Sequence, residues 1–201
     1  MSTVTSSEPA APPSNWNLPN GLTVLRIVMV PLFGWLLLSH GGDDTTWRLA
    51  AFACFVAAML TDRFDGEIAR RRGLVTNFGK IADPIADKAL TGTAFVGLSL
   101  LGELSWWVTG VVLGREVAIT LIRFVVIRYG VIAASRGGKL KTVLQTIALC
   151  AYILPIGDIF LLHLAAMLVM AAAVAVTVWT GAEYVVQAAR MWRQGHHAER
   201  A

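Results

Sequence analysis

Long apolar runs separated by short polar segments dominate this 201-residue chain. A helix needs about 20 residues to cross the hydrocarbon core of a bilayer, and six of the runs come close to that length or exceed it. The pattern predicts helices over residues 22–39, 47–70, 79–101, 106–128, 142–163 and 164–190. We therefore expect an all-α, polytopic membrane protein with six transmembrane helices.

The last two predicted helices are nearly continuous, and the sequence marks one break between them. Gly157 and Asp158 follow Pro155, and proline interrupts a helix while glycine favours a turn. Residues 1–15 are rich in Ser, Thr, Pro and Ala, which predicts a disordered tail and no cleavable signal peptide. The membrane domain is expected over residues 16–193, followed by a C-terminal tail over 194–201.

The composition indicates lipid as the main solvent of the chain. Hydrophobic residues make up 56% and charged residues 15% of the sequence, whereas about 25% of a soluble domain is charged. Cys54 and Cys150 both lie in apolar runs, which favours neither a disulfide framework nor a metal site. The net charge of +4 does not indicate nucleic-acid binding, because the basic residues cluster at the ends of apolar runs, as in membrane proteins.

The charged residues divide unequally between the two sets of loops. One set carries a single basic residue, Arg48, beside the acidic residues Asp43, Asp44, Glu103 and Asp158. The other set carries Arg70, Arg71, Arg72, Lys80, Arg128, Arg136, Lys139, Lys141, Arg190, Arg193 and Arg200. The positive-inside rule therefore predicts that the basic loops and both termini face the cytosol across the cell membrane.

Four aspartates stand where the second predicted helix ends and the third begins: Asp62, Asp65, Asp83 and Asp87. At about 100° per residue each pair shares one helix face, so two antiparallel helices can bring the pairs together. Converging carboxylates repel one another unless cations bind between them. Hard oxygen ligands suit Mg²⁺ or Mn²⁺, and a site with two such ions can clamp a pyrophosphate. Solvated helix caps are the alternative for one or two such residues, but four on matched faces favour a site.

The residues around these aspartates follow the pattern D-x2-D-G-x2-A-R-x8-G-x3-D-x3-D from Asp62 to Asp87. At every position this pattern resembles that of the CDP-alcohol phosphatidyltransferases. The resemblance implies a homodimeric enzyme, dependent on two Mg²⁺ or Mn²⁺ ions, with its active site facing the cytosol. In such an enzyme an acceptor hydroxyl attacks the β-phosphorus of CDP-diacylglycerol, and CMP leaves.

The resemblance also implies roles for individual residues. Asp62, Asp65 and Asp83 would be metal ligands, and Asp87 would be both a ligand and the general base. The residues that would contact CDP-diacylglycerol are Asn20, Thr23, Gly66, Ala69, Arg70, Thr76 and Gly79. Asn20 and Thr23 have a second interpretation, because such residues often cap a helix.

Three shorter segments, residues 17–26, 114–116 and 138–142, resemble the branch of this family, found in actinobacteria, that uses glycerol 3-phosphate. The candidate phosphate-binding residues are Arg115, Arg123, Lys139 and Lys141, with Arg26 and Lys88 as further candidates. An arginine near the membrane midplane is costly unless it has a partner. Arg115 is therefore equally well interpreted as half of an ion pair, with Glu116 of a neighbouring subunit or with an aspartate of the third helix. Lys139 and Lys141 have an alternative role as membrane anchors.

Other functions stay open at this point. A sister transferase would use phosphatidylglycerol, giving cardiolipin, or inositol 1-phosphate as its acceptor. A divalent-cation transporter would use the same aspartates to line a pore. Against a transporter, the sequence places these carboxylates at one membrane boundary and gives the other half of the membrane no matching acidic path.

Overall fold

A computed structural model describes residues 18–72, 76–126, 136–155 and 159–198. The side chains of residues 19, 63–72, 77, 78, 80, 136 and 194–198 are outside this description. Within the described ranges the chain forms six α-helices and no strand: α1 Leu18–Leu38, α2 Thr45–Arg72, α3 Asn77–Leu100, α4 Trp106–Val126, α5 Arg136–Ile153 and α6 Phe160–Ala198. A short 3₁₀ turn, Ser39–Gly42, joins α1 to α2. The all-α prediction is confirmed for these residues.

The predicted boundaries of the fifth helix are wrong at both ends. Helix α5 begins at Arg136, six residues before the expected start, and ends at Ile153 rather than at residue 163. Its early end has a local cause, because Pro155 disfavours a helical conformation at the residue before it. The expected break at Gly157 and Asp158 lies outside the described residues.

Two helical stretches are long and apolar enough to cross a membrane by length and composition: Asn20–Gly42 and Phe160–Arg193. Large apolar side chains are also exposed on the surface, including Trp107, Phe124, Phe160 and Trp179. A surface of this kind suits lipid rather than water. These features are consistent with a helical membrane protein.

The helices pack around an apolar centre. Helix α1 packs on α2 and α3, and α6 packs on α4 and α5. The rings of Phe33 in α1 and Phe55 in α2 have centroids 5.3 Å apart. Around this pair lie the buried side chains of Leu37, Leu90, Phe95, Leu98, Leu149, Ile153 and Met170. Buried polar contacts lie at the two ends of the bundle and also between α5 and α6, where Gln145 donates to Thr177.

We call these two ends the site end and the opposite end. At the site end α1 begins, α2 ends and α3 begins, as the bond from Thr23 to Asp83 and the ion pair of Arg26 with Asp62 show. At the opposite end the guanidinium of Arg48, near the start of α2, contacts Glu103 after α3. The same guanidinium donates to the carbonyl oxygen of Ile153, at the end of α5.

The turn between α1 and α2 at the opposite end has an unusual backbone. His40, Gly41 and Gly42 have φ values of 55°, 68° and 81°, in the left-handed region that favours glycine. Asp44 then caps α2, because its carboxylate accepts hydrogen bonds from the backbone N–H groups of Thr46 and Trp47 at 2.8 and 3.2 Å. These two bonds hold the pKa of Asp44 below its usual value.

Candidate active site

The start of α3 is joined to α1 through the side chain of Thr76. Its hydroxyl oxygen accepts a hydrogen bond from the N–H of Gly79 at 3.1 Å, which caps α3, and its proton is donated to Asn20 Oδ1 at 2.8 Å. A Cβ at Gly79 would lie 3.2 Å from that same Asn20 oxygen. The close approach of the two helices therefore requires a residue without a side chain at position 79.

Asp83 lies one turn after Gly79 and is bound by α1 as well. Thr23 Oγ1 donates to Asp83 Oδ1 at 2.6 Å. Asn20 and Thr23 are three residues apart in a helix and so share one face. Both lie inside α1, which begins at Leu18, and both bond to the α3 region. Their side chains thus join α1 to the α3 region, whichever residue caps the first helix.

The next residue on this face of α1 is Arg26, which is fully buried. Its Nη1 lies 2.6 Å from Asp62 Oδ1 on α2, and the Asp62 side chain is 41% exposed. Arg26 was a further candidate for binding the acceptor phosphate, whereas the structure pairs it with a predicted metal ligand. The sequence carries a signal for this arrangement, since Asn20, Thr23 and Arg26 recur every three residues in an apolar run.

Asp87, one turn after Asp83, faces a different set of groups. It lines a cavity of about 420 Å³ between α3, α4 and α5. The polar side chains of the lining are Asp87, Lys88, Thr91, Glu116, Thr120, Lys141, Thr142 and Gln145, and its apolar side chains include Phe95, Val112 and Leu113. Asp87 is also within electrostatic range of Asp62, Arg26, Glu116 and Lys141. Asp87 therefore lies between the carboxylates of Asp62 and Asp83 on one side and the cavity on the other.

The described residues supply carboxylates of the right chemical kind for Mg²⁺ or Mn²⁺. Asp62, Asp83 and Asp87 come from two adjacent helices, and the charges of Asp62 and Asp87 influence each other. No three acidic, histidine or cysteine side chains in the described part of the chain are close enough to hold a metal ion together. The side chain of Asp65 lies outside the description, as do those of Ala69 and Arg70 and the surroundings of Gly66, although all four belong to α2. The four-aspartate metal site thus stays a prediction.

The four predicted phosphate-binding residues occupy different environments. Lys141 is buried, lines the cavity and forms an ion pair with Glu116. Arg115 lies between α4 and α6, where Nη1 bonds to Glu116 Oε1 at 2.9 Å and Nη2 to Thr180 Oγ1 at 3.3 Å. Arg115 thus forms an ion pair, but with Glu116 of its own chain rather than with a neighbouring subunit or an aspartate of the third helix. Arg123 and Lys139 are exposed and are not among the residues that line the cavity.

Glu116 and Thr120 are cavity residues to which the sequence reasoning gave no site role. Lys88 donates to Thr120 Oγ1 at 2.5 Å, and the Thr120 hydroxyl donates to the carbonyl oxygen of Glu116. The two residues are four positions apart and share a helix face. An acidic residue and a threonine one turn apart in an apolar helix were a signal that the cavity faces this side of α4.

One family model and three relatives bear on this arrangement. The family model described as CDP-alcohol phosphatidyltransferase matches residues 16–179. A probable phosphatidylglycerophosphate synthase of Mycobacterium tuberculosis is 52% identical over 174 residues, which are 87% of this chain and 82% of the relative. The CDP-diacylglycerol–glycerol-3-phosphate 3-phosphatidyltransferase of Bacillus subtilis is 39% identical over 149 residues, 69% of this chain and 77% of the relative. The protein of the same name from Shigella flexneri is 36% identical over 177 residues, 85% and 93% of the two chains.

Proposed function

We propose, since the chain belongs to the CDP-alcohol phosphatidyltransferase family, that it transfers the phosphatidyl group of CDP-diacylglycerol to glycerol 3-phosphate. The products are phosphatidylglycerophosphate and CMP. The relatives from Bacillus subtilis and Shigella flexneri are named after both of these substrates. The family also sets aside a divalent-cation transporter as the function of the chain.

The observation that carries this proposal is the position of Asp87. It stands one turn after Asp83, which is bonded to α1, and it lines the cavity that also contains the cations of Lys88 and Lys141. A phosphorylated alcohol in the cavity would find two cations for its phosphate. Its hydroxyl would then be close to a carboxylate that can accept a proton.

The reaction follows from this placement. The hydroxyl oxygen of glycerol 3-phosphate forms a bond to the β-phosphorus of the donor, and the bond from that phosphorus to the oxygen of CMP breaks. Asp87 accepts the hydroxyl proton, which is the task of a general base. On the donor side the proposed contacts are Asn20, Thr23, Thr76 and Gly79, together with Gly66, Ala69 and Arg70 of α2.

The proposed cofactor is a pair of divalent cations, Mg²⁺ or Mn²⁺, held by Asp62, Asp65, Asp83 and Asp87. Bound there, such ions neutralise charge on the pyrophosphate and on the departing CMP. The residues of α1 orient these ligands: Thr23 holds one oxygen of Asp83, and Arg26 holds one oxygen of Asp62. Each carboxylate keeps its second oxygen for a cation.

The proposed setting is a homodimer in the cell membrane in which all six helices span the bilayer. The shortest helix, α5, has 18 residues and is about 27 Å long, close to the roughly 30 Å of the hydrocarbon core. Every helix exposes large apolar side chains, for example Val28, Leu60, Ile85, Leu121, Val143 and Leu168. The proposal retains a tail over residues 1–15, a membrane domain over 16–193 and a tail over 194–201.

The basic loops orient the site end and both termini toward the cytosol. Cysteines introduced by Asp43→Cys and Ser135→Cys test this orientation in intact cells. An impermeant thiol reagent should label position 43 and not position 135, with Cys54 and Cys150 replaced by serine in both variants. Labelling of position 135 alone would reverse the orientation.

The acceptor is tested with purified protein, labelled CDP-diacylglycerol and a panel of alcohols. We expect phosphatidylglycerophosphate and CMP in equal amounts with glycerol 3-phosphate, and no lipid product with glycerol, the matched acceptor that lacks a phosphate. Cardiolipin formed from phosphatidylglycerol, or a phosphoinositide formed from inositol 1-phosphate, would instead assign a sister reaction. Absence of CMP with every acceptor would reject the proposed transfer.

A further inference from the structure

The carboxylate of Glu116 occupies an unusual place in the cavity. It lines the wall on α4 and forms ion pairs with two cations, Lys141 from α5 and Arg115 from its own helix. An anion facing a space meant for a phosphate would repel that phosphate. The presence of a carboxylate in this wall is explained by its two cationic partners, Lys141 and Arg115.

Lys141 has two carboxylates within electrostatic range, Glu116 and Asp87. A lysine side chain is long and flexible, and its ammonium can rotate toward either one. Pairing with Asp87 would remove a charge from the proposed general base and draw the ammonium away from α4. The ion pair with Glu116 instead keeps the ammonium of Lys141 beside α4, away from Asp87.

Glu116 is itself held by Arg115 from behind. Arg115 Nη1 bonds to the same Oε1 atom that Lys141 contacts, and Arg115 Nη2 bonds to Thr180 on α6. The stem of Arg115 packs against Gly181, where a Cβ would lie 3.1 Å from Arg115 Cγ. The guanidinium is thus fixed between α4 and α6, so that the carboxylate has a rigid support.

We infer that Glu116 is a positioning residue that aims the ammonium of Lys141 at the phosphate of the acceptor. Arg115 in turn fixes the position of the Glu116 carboxylate. This inference rests on the proposed function, because it assigns the cavity to glycerol 3-phosphate. It predicts that Glu116 governs affinity for the acceptor through Lys141 and leaves the donor site unaffected.

The test replaces Glu116 with glutamine, which keeps the size of the side chain and one oxygen acceptor but removes the charge. The KM for glycerol 3-phosphate should rise about ten- to hundredfold, as expected when a charge-assisted contact loses its geometry. The KM for CDP-diacylglycerol should change by less than about twofold, since sites without shared partners act nearly independently. A residue with a merely structural role would lower stability or raise both KM values together.

Two further variants sharpen the result. Glu116→Asp keeps the charge on a shorter stem and should recover much of the acceptor affinity. Glu183→Gln is the matched control, since it removes a carboxylate from an exposed position of α6, and both KM values should stay unchanged. Should Glu116→Gln fail to fold, Glu116→Ala removes the same charge, and an unchanged acceptor KM in that variant would overturn the inference.

A double-mutant cycle tests whether Glu116 acts through Lys141. If it does, Glu116→Gln combined with Lys141→Gln should be no worse for acceptor KM than Lys141→Gln alone. Effects that multiply would show that the two residues act separately and would overturn the inference. The wild-type protein distinguishes failure of the proposed function from failure of this inference. If it transfers nothing to glycerol 3-phosphate, the proposed function is rejected. If it is active and Glu116→Gln has an unchanged acceptor KM, only the role of Glu116 is rejected.

Discussion

Two buried arginines, one at each end of the bundle, face similar partners in different ways. Arg48, at the opposite end, contacts both carboxylate oxygens of Glu103 and donates to the carbonyl oxygens of Tyr152 and Ile153. Arg26, at the site end, pairs with Asp62, whose side chain is 41% exposed. Both carboxylates reach solvent, but Arg48 also binds two backbone carbonyl groups of α5, whereas Arg26 holds a predicted metal ligand.

The difference separates a structural ion pair from a functional one. Arg48 joins α2, the turn after α3 and the end of α5, so its loss removes a buried donor from the carbonyl oxygens of Tyr152 and Ile153 and the ion pair from the partly exposed Glu103. Loss of Arg26 leaves Asp62 with access to water, and the main change is at a proposed metal ligand. We therefore expect stability to depend on the opposite end and catalysis to depend on the site end.

The largest expected effect is on catalysis and tests the site end. Asp87→Asn keeps the size of the side chain but cannot accept a proton, so turnover should fall by at least about 10² to 10⁴. CMP release measures turnover, and equilibrium binding of CDP-diacylglycerol should stay measurable. Raising the pH should not restore the rate. Near-normal turnover in this variant would remove Asp87 from the proposed mechanism.

The next effect is on stability and tests the opposite end. Arg48→Met should lower the free energy of unfolding by about 1–3 kcal/mol, because the carbonyl oxygens of Tyr152 and Ile153 lose a buried donor. Reversible denaturation in detergent measures this change. The KM values of the remaining folded protein should equal those of the wild type. Arg48→Met combined with Glu103→Leu should recover little of the stability, and full recovery would show that the ion pair matters more than the carbonyl contacts.

The matched change at the site end should give the reverse pattern. Arg26→Met should lower the free energy of unfolding by only about 1 kcal/mol, since the exposed Asp62 becomes hydrated. Turnover should fall about ten- to hundredfold, because a ligand carboxylate loses its fixed orientation. The comparison of the two arginines would fail if Arg26→Met destabilised the protein as much as Arg48→Met.

The smallest expected effect concerns pH and the cap of α2. The pKa of Asp44 is lowered in the folded state by its bonds to Thr46 and Trp47, so its carboxylate stabilises the fold above the unfolded pKa of about 4. That contribution is lost as the pH falls through the lower folded value. Wild type should therefore have a higher Tm than Asp44→Ala at pH 7, and the two should converge in strong acid. A difference that grew on acidification would contradict the assigned cap.

The sequence was sufficient for the parts of the molecule that depend on local spacing. Asp62 and Asp65 are three residues apart and Asp83 and Asp87 are four residues apart, so the helix period relates the members of each pair. Arg48 and Glu103 are 55 residues apart, and their pairing depends on how α2, α3 and α5 pack. No local pattern encodes such a contact. The predicted start of the fifth helix was wrong for a related reason. Gly137 and Gly138 indicate a loop in the sequence, whereas in the structure Lys141, one turn later, is held by Glu116 of another helix.

The length of α6 has a consequence for what the protein presents beyond the lipid. Its 39 residues measure about 58 Å, nearly twice the hydrocarbon thickness, and a tilt of about 40° would still use only about 40 Å of them. At least about 18 Å of helix must therefore project from the bilayer or lie along its surface. Trp192 and Arg193 near its end are side chains suited to the headgroup layer. The last helix is thus longer than a single crossing requires, so its excess lies in or beyond the headgroup layer.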